Sequence, residues 1–117
     1  MADRVRAKLE ELGLTLYGPH PPHDPLDAVV IHNGVARTSG QLPRIDGELT
    51  CIGTLGDTVS VEEGAAAARV CALNALSVLE VALGSLDRIE RVPAADVMIR
   101  APMSLVLRDS VAAAAGV

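Results

Sequence analysis

The spacing of apolar residues changes along the chain, and each change predicts a different element. Val5, Leu9 and Leu12 recur at helical spacing, so residues 3–12 are predicted to form a short amphipathic helix. A later apolar run with a helical period, residues 60–83, predicts the longest helix of the chain. Between these two segments the apolar residues come in short runs, which predicts strands.

Two pairs of short apolar runs each flank a two-residue turn. The runs are residues 28–32 and 35–39, and residues 41–45 and 48–52. Asn33-Gly34 separates the first pair, and this dipeptide suits a type I′ turn because both central residues must take a positive φ. Asp46-Gly47 separates the second pair in the same way. Two successive hairpins predict an antiparallel meander.

The long helix carries signals at both ends. Ser60 and Glu63 have the spacing of a capping box, and Gly84 suits the position just after the last turn. One face is rich in small residues and is predicted to lie close on a sheet: Ala68, Cys71, Ala72, Ala75, Leu79 and Ala82. Leu73 and Leu76 lie towards the polar side, which predicts a second contact, such as a neighbouring subunit.

The order of elements predicts the fold class. In residues 96–101, Val97 and Ile99 fall on one side and Met98 and Arg100 on the other, and the segment is predicted to form one more strand. Helix, four short strands, long helix and strand make an α+β fold, with the long helix packed on one face of a mixed sheet. We expect residues 1–117 to form a single domain, with residues 1–17 as an N-terminal helical extension and residues 93–117 as a divergent tail.

Composition and charge reduce the number of possible functions. Half of the 117 residues are hydrophobic, but there is one tyrosine and no phenylalanine or tryptophan, so the core must be built from aliphatic side chains. The net charge of −5 argues against nucleic acid as a partner, because that affinity rests on neutralising phosphates with Lys and Arg. Bases would also lack an aromatic platform for stacking.

Cysteine usage and the apolar runs bear on localisation. Cys51 and Cys71 are far apart and form no C-x-x-C pattern, and the N-terminus does not resemble a secretory leader. We therefore expect reduced thiols in a cytoplasmic protein. Polar residues interrupt the apolar run at 65–83, which predicts a helix of a soluble protein with no membrane partner: Arg69, Asn74, Ser77 and Glu80.

Residues 18–25 contain four prolines and are predicted to form an extended surface connector. His20, His23 and Asp24 within it are residue types that bind metals. The surrounding prolines leave little scope for the second layer of hydrogen bonds that metal ligands need, so we expect no metal site.

The chemically most informative stretch is residues 38–43, T-S-G-Q-L-P, at the end of a predicted strand. Ser39 offers a hydroxyl and Gly40 an unobstructed backbone N–H to one small ligand, because glycine has no Cβ to block approach. We predict Ser39, Gly40 and Gln41 as ligand-binding residues. The alternative is structural: Ser39 and Gly40 form a bulge, and Pro43 ends the strand.

In this order of motifs the chain resembles the Rid family, also called YjgF or endoribonuclease L-PSP. The resemblance covers roughly the first 92 residues. Its motifs are residues 38–43, glycines 53 and 56, V-E-E-G at 61–64, A-R-V-C-A-L-N-A-L at 68–76 and L-D-R-I at 86–89. The A-K-L-E-E-L-G-L segment at 7–14 is similar to one branch of the family that has an extra N-terminal helix.

The resemblance implies a chorismate-mutase-like fold and a homotrimer with ligand clefts between subunits. It also implies hydrolysis of reactive enamines and imines, such as 2-aminoacrylate, to keto acids and ammonia. The ligand would be a small carboxylate-bearing metabolite, and no cofactor is expected because an imine is already electrophilic. Other family members are described as ribonucleases or as binding proteins, and these remain alternative functions.

In the family an arginine in a late segment binds the substrate carboxylate. After Val92 this chain departs from that pattern, and Arg100 and Arg108 are the candidates for the catalytic arginine. The alternative for both is a solvated surface position. A further alternative explains the departure itself: the tail is a truncated or frame-shifted reading of a longer protein of this family.

Overall fold

The computed structural model describes residues 4–16 and 27–92. The elements are α1 (Arg4–Glu11), β1 (Val29–His32), β2 (Val35–Thr38), β3 (Arg44–Ile45), β4 (Glu48–Leu49), α2 (Val61–Leu83) and a 3-10 turn (Leu86–Arg88). Their order is the predicted one. The proline-rich connector at 18–25, the strand expected at 96–101 and both late arginines, Arg100 and Arg108, lie outside the described residues.

The contacts divide the chain into two compact units. Within the described residues, the first unit contains residues 4–16, 27–41 and 73–92, and the second contains residues 42–72. The strands of this part of the chain form two antiparallel sheets of two strands each. A mixed sheet would also need the strand expected at 96–101.

In the first unit, β1 and β2 form the predicted hairpin. Asn33 and Gly34 have φ values of 50° and 75°, which are the positive values that a type I′ turn requires. The register pairs Val30 with Arg37. The Ser39 N–H donates to the Ala28 carbonyl at 2.8 Å and so continues the pairing one residue beyond β2.

An apolar cluster in the same unit joins α1 to α2 and the 3-10 turn. Leu9, Leu73 and Leu86 are buried together, with Leu76 packed against them. Leu73 and Leu76 therefore do have a second contact, but its partner is the N-terminal helix of the same chain. A helical wheel shows which face needs covering and not which segment covers it, so a contact of this face with a neighbouring subunit stays a prediction.

Polar contacts hold the two ends of α2. Ser60 and Glu63 form the predicted capping box, with the Ser60 N–H donating to Glu63 Oε1 and the Glu63 N–H to Ser60 Oγ, both at 3.1 Å. At the other end Gly84 has φ 82° and donates its N–H to the Glu80 carbonyl at 2.8 Å. Arg6 of α1 forms a bidentate ion pair with Glu80.

The predicted small-residue face of α2 is only partly buried. Ala68 is buried, whereas Ala72 and Ala82 are exposed. By length and composition α2 could cross a membrane, since an 18-residue window of the helix has a mean hydropathy of 1.6. Core helices of soluble proteins meet the same criteria. Of this window 22% is buried; Asn74 and Ser77 are buried, and Glu80 pairs with Arg6 of α1.

In the second unit the β3–β4 hairpin is shorter than predicted. Pro43 has no N–H to donate, so pairing before Arg44 is limited. The Thr50 N–H and hydroxyl both donate to the Pro43 carbonyl at 2.8 Å and close the hairpin at that end. Leu55 and Val59 pack on Ala68 of α2 and form the small core of this unit.

Candidate functional site

The predicted ligand-binding segment begins where β2 ends. Ser39 is half-buried, and its backbone is fixed by the bond to Ala28. Gly40 is exposed, and a Cβ built on it meets no atom within 4 Å. Its φ does not lie in the positive region. The backbone at Gly40 is therefore open to approach, and nothing in the described part of the chain requires a glycine there.

Gln41 holds the Ser39 side chain. The Gln41 Nε2 group donates to the Ser39 hydroxyl at 3.2 Å and to the Ser39 carbonyl at 3.2 Å. A hydroxyl has one proton to donate and two lone pairs that accept. Because Ser39 Oγ accepts from Gln41, its own proton remains available for a ligand. Ser39 and Gln41 are thus brought together as expected, while their binding of a ligand stays a prediction.

Arg37 lies near this segment and was not singled out from the sequence. Side chains alternate along a strand, so Arg37 and Ser39 belong to the same face of β2. Arg37 is exposed. The signal that could have identified it is an arginine two residues before a Ser-Gly pair on a predicted strand.

Other titratable groups near the segment are few. His32 lies on the same sheet face as Arg37, because the register pairs it with Val35. Its Nε2 is 3.1 Å from the Asn33 amide. Among the described residues no group of three His, Cys, Asp or Glu side chains could hold a metal ion. The histidines of the connector, His20 and His23, lie outside those residues.

The second unit contains an apolar cavity of about 420 Å³ beside the N-terminal part of α2. Cys51, Val59 and Val70 contribute to its lining. Both cysteines are free thiols in the structure, and burial raises the pKa of Cys71. A thiol with a raised pKa is a weak nucleophile at neutral pH, so Cys71 serves as a small, half-buried side chain.

Comparison with known proteins identifies the family. The family model of the YjgF/chorismate mutase-like, putative endoribonuclease family matches residues 22–112, which is more than half of the chain. The chain belongs to the YjgF family. The matched region contains Ser39, Gly40 and Gln41 and extends beyond residue 92, where the resemblance had ended. Helix α1 precedes it.

Individual YjgF relatives agree with this assignment. The chain is 38% identical over 109 residues to Protein TCP17 of Trypanosoma cruzi, a match that covers 93% of this chain and 68% of that protein. It is also similar to a crystal structure of a putative endoribonuclease from Shewanella oneidensis MR-1. That match has a TM-score of 0.88 and 29% identity, and it covers 94% of this chain and 73% of the other.

A second solved structure, Atu1372 from Agrobacterium tumefaciens, is described as having unknown function. It matches with a TM-score of 0.75 and 31% identity, over 95% of this chain and 68% of the other. The YjgF family and its α+β, chorismate-mutase-like fold, both expected from the motifs, are confirmed.

Proposed function

We propose that this YjgF-family chain hydrolyses reactive 2-enamino and 2-imino acids to keto acids and ammonia, with Ser39, Gly40 and Gln41 binding the substrate. The observation that carries the proposal is the contact from the Gln41 amide to the Ser39 hydroxyl beside the open backbone of Gly40. This contact leaves one hydroxyl proton for a ligand. The exposed Gly40 can be approached closely.

The chemistry needs positioning more than it needs a strong catalyst. An enamine tautomerises to an imine, water adds to the C=N carbon, and the resulting carbinolamine expels ammonia to leave the keto acid. A hydroxyl fixed by Gln41 can orient the substrate or the attacking water, and orientation alone lowers such barriers substantially. The C=N carbon is electrophilic without a cofactor.

The proposal also covers the ligand, the localisation and the oligomeric state of the protein. The ligand is a small carboxylate-bearing metabolite, the protein is cytoplasmic, and the active form is a homotrimer. Val30, Ile31 and Val35 of the first hairpin are about half exposed, at 54%, 54% and 48%, which favours association through this hairpin. Analytical ultracentrifugation tests the trimer, whose mass should be three times 12.1 kDa.

The activity can be tested by generating 2-aminoacrylate in the cuvette and measuring the release of pyruvate and ammonia. Ser39→Ala should lower kcat/KM about tenfold or more, because a positioned donor is lost. Thr15→Ala, at an exposed threonine with no described hydrogen bond, is the matched control. The proposal is refuted if the rate at high protein concentration does not exceed the background rate.

Gln41 provides a sharper variant. Gln41→Met removes the donor, and the Ser39 hydroxyl then rotates freely. Gln41→Glu replaces the donor with an acceptor, so the Ser39 proton is drawn to the new carboxylate and withheld from the ligand. Activity should fall in the order wild type, Gln41→Met, Gln41→Glu. Arg100→Ala and Arg108→Ala in the same assay test the two late arginines.

Binding without catalysis is the second candidate function. The observation that favours it is the absence of a titratable side chain among Ser39, Gly40 and Gln41, so these residues offer no general acid or base. This candidate predicts that a keto acid raises the melting temperature while no turnover is detected.

Ribonuclease activity is the third candidate, and it rests on the names of the family and of the Shewanella relative. The net charge of −5 makes binding of a polyanion unfavourable. Failure of purified, nuclease-free protein to cleave RNA would exclude it.

A further inference from the structure

We infer that Arg37 binds the carboxylate of the ligand that Ser39 holds, so that the two residues form a carboxylate-binding pair on the first hairpin. The inference rests on the proposed function for the class of ligand. It assigns to a described residue the role for which the sequence suggested only Arg100 and Arg108.

The register of the hairpin supports the pairing. Arg37 is opposite Val30, and the Ser39 N–H bonds to the Ala28 carbonyl, so the strand geometry continues from Arg37 to Ser39. Two residues along a strand are about 6.6 Å apart and point to the same side. The guanidinium and the Ser39 hydroxyl can therefore reach one small ligand from the same strand.

The bonding state of Arg37 supports a role towards a ligand. Some arginines of the described residues are engaged within the chain, whereas Arg69 is not: Arg6 pairs with Glu80, and Arg88 Nη1 donates to the Leu83 carbonyl at 2.9 Å. In the part of the chain that the structure describes, the Arg37 guanidinium makes no hydrogen bond or ion pair. Its five N–H donors thus remain available.

The charges on this sheet face favour an anionic ligand. Among the described residues of β1, β2 and Ser39, the titratable side chains on the Arg37 face are Arg37 and His32, and neither is acidic. A guanidinium and a hydroxyl both donate, so they complement a group that only accepts. A carboxylate is such a group, and a guanidinium binds it through two parallel hydrogen bonds.

The inference can be tested with 2-oxobutyrate, a stable 2-keto acid, and its neutral amide as the uncharged probe. Binding is measured by calorimetry and by thermal shift for the full-length wild type and for Arg37→Gln, Arg37→Lys and Arg69→Gln. Arg69 is an exposed arginine of α2 with no described ion pair, so it serves as the control for loss of one positive charge.

The acid should bind the wild type and Arg69→Gln equally, and the amide should bind poorly to both. Arg37→Gln should weaken binding of the acid about tenfold to a hundredfold, the usual effect of removing a hydrogen bond to a charged group. The affinity of Arg37→Lys for the acid should lie between those of the wild type and Arg37→Gln, because an ammonium keeps the charge and loses the planar fork. The exposure of Arg37 predicts an unchanged urea midpoint for every variant.

Failure of this inference can be distinguished from failure of the proposed function. If Arg37→Gln binds the acid as the wild type does, the inference is overturned, whatever the turnover of 2-aminoacrylate. If Arg37→Gln no longer binds the acid but the wild type shows no turnover, the role of Arg37 in binding is supported and the hydrolytic function is refuted. If the wild type binds no carboxylate, the inference is overturned, and turnover of 2-aminoacrylate still decides the proposed function.

Discussion

The carboxylate of Asp87 accepts the backbone N–H of Val5 at 2.9 Å, although 82 residues separate the two along the chain. Its other oxygen accepts the N–H of Arg4 at 2.8 Å. These are N–H groups of the first turn of α1, which have no partner within a helix. A side chain of the 3-10 turn therefore caps the N-terminal helix and fixes its position.

Replacement of Asp87 should loosen α1. Asp87→Ala removes both acceptors, and we expect a loss of about 1–2 kcal/mol in the free energy of unfolding, the usual cost of a lost cap. Urea titration measures the loss, and amide hydrogen exchange should rise in residues 4–11.

Asp57→Ala is the matched control, because Asp57 is exposed and its side chain makes no hydrogen bond in the described structure. Equal effects of the two substitutions on the urea midpoint and on exchange in α1 would contradict the capping role.

Leu73 should behave as a core residue of the single chain. It is 5% exposed and packs with Leu9 and Leu86, so Leu73→Ala should cost about 2–5 kcal/mol in the free energy of unfolding. Val81→Ala, at a 67% exposed position of the same helix, should cost far less. Urea titration at several protein concentrations provides the measurement.

The same variant separates the two possible partners of Leu73. A contact to α1 predicts lower stability with the mass in ultracentrifugation unchanged. Loss of the oligomer under native conditions, with the stability of the chain unaffected, would instead assign Leu73 to a subunit interface.

Local signals in the sequence predicted local structure. The Asn33-Gly34 turn and the Ser60–Glu63 capping box depend on neighbours within a few residues, and both formed as expected. The proximity of Ser39 and Gln41 also follows from their spacing. The direction of their hydrogen bond does not, because an amide can donate or accept.

Contacts between distant segments could not be predicted in this way. Nothing near Asp87 in sequence indicates that its carboxylate caps α1, and the pattern of α2 could not identify α1 as the cover of Leu73. Arg37 is an intermediate case. Its strand face could be predicted from alternation, but its freedom from ion pairs required the arrangement of all the described charges.

Replacement by alanine should destabilise the protein at one glycine and have no effect at another. Gly53 has φ 145°, and a Cβ there would clash with Thr58 Oγ1, so Gly53→Ala requires both backbone strain and displacement of the loop. We expect a loss of about 1–3 kcal/mol, the cost of a strained backbone conformation. Gly40→Ala has open space and an ordinary φ, so the urea midpoint should be unchanged.

The Gly40 variant also tests the site. If a ligand approaches the Gly40 backbone, the added methyl group should weaken binding of 2-oxobutyrate in a protein of unchanged stability. Wild-type affinity in Gly40→Ala would show that the ligand does not contact this backbone.

The Ser60–Glu63 capping box should make stability depend on acid pH. The Ser60 backbone N–H, and then its hydroxyl, hold the pKa of Glu63 below the ordinary value of 4.5. A carboxylate whose pKa is lowered by folding contributes stability that is complete above the unfolded-state pKa and is lost as the pH falls through the folded-state pKa. The stability advantage of the wild type over Glu63→Gln should therefore be constant above about pH 4.5 and shrink below it.

Urea titrations across this pH range measure this advantage. Glu62→Gln is the control, since Glu62 is exposed and makes no described hydrogen bond to Ser60. A gap that widens on acidification, or the same profile for both variants, would mean that the Glu63 carboxylate does not act as a cap in solution.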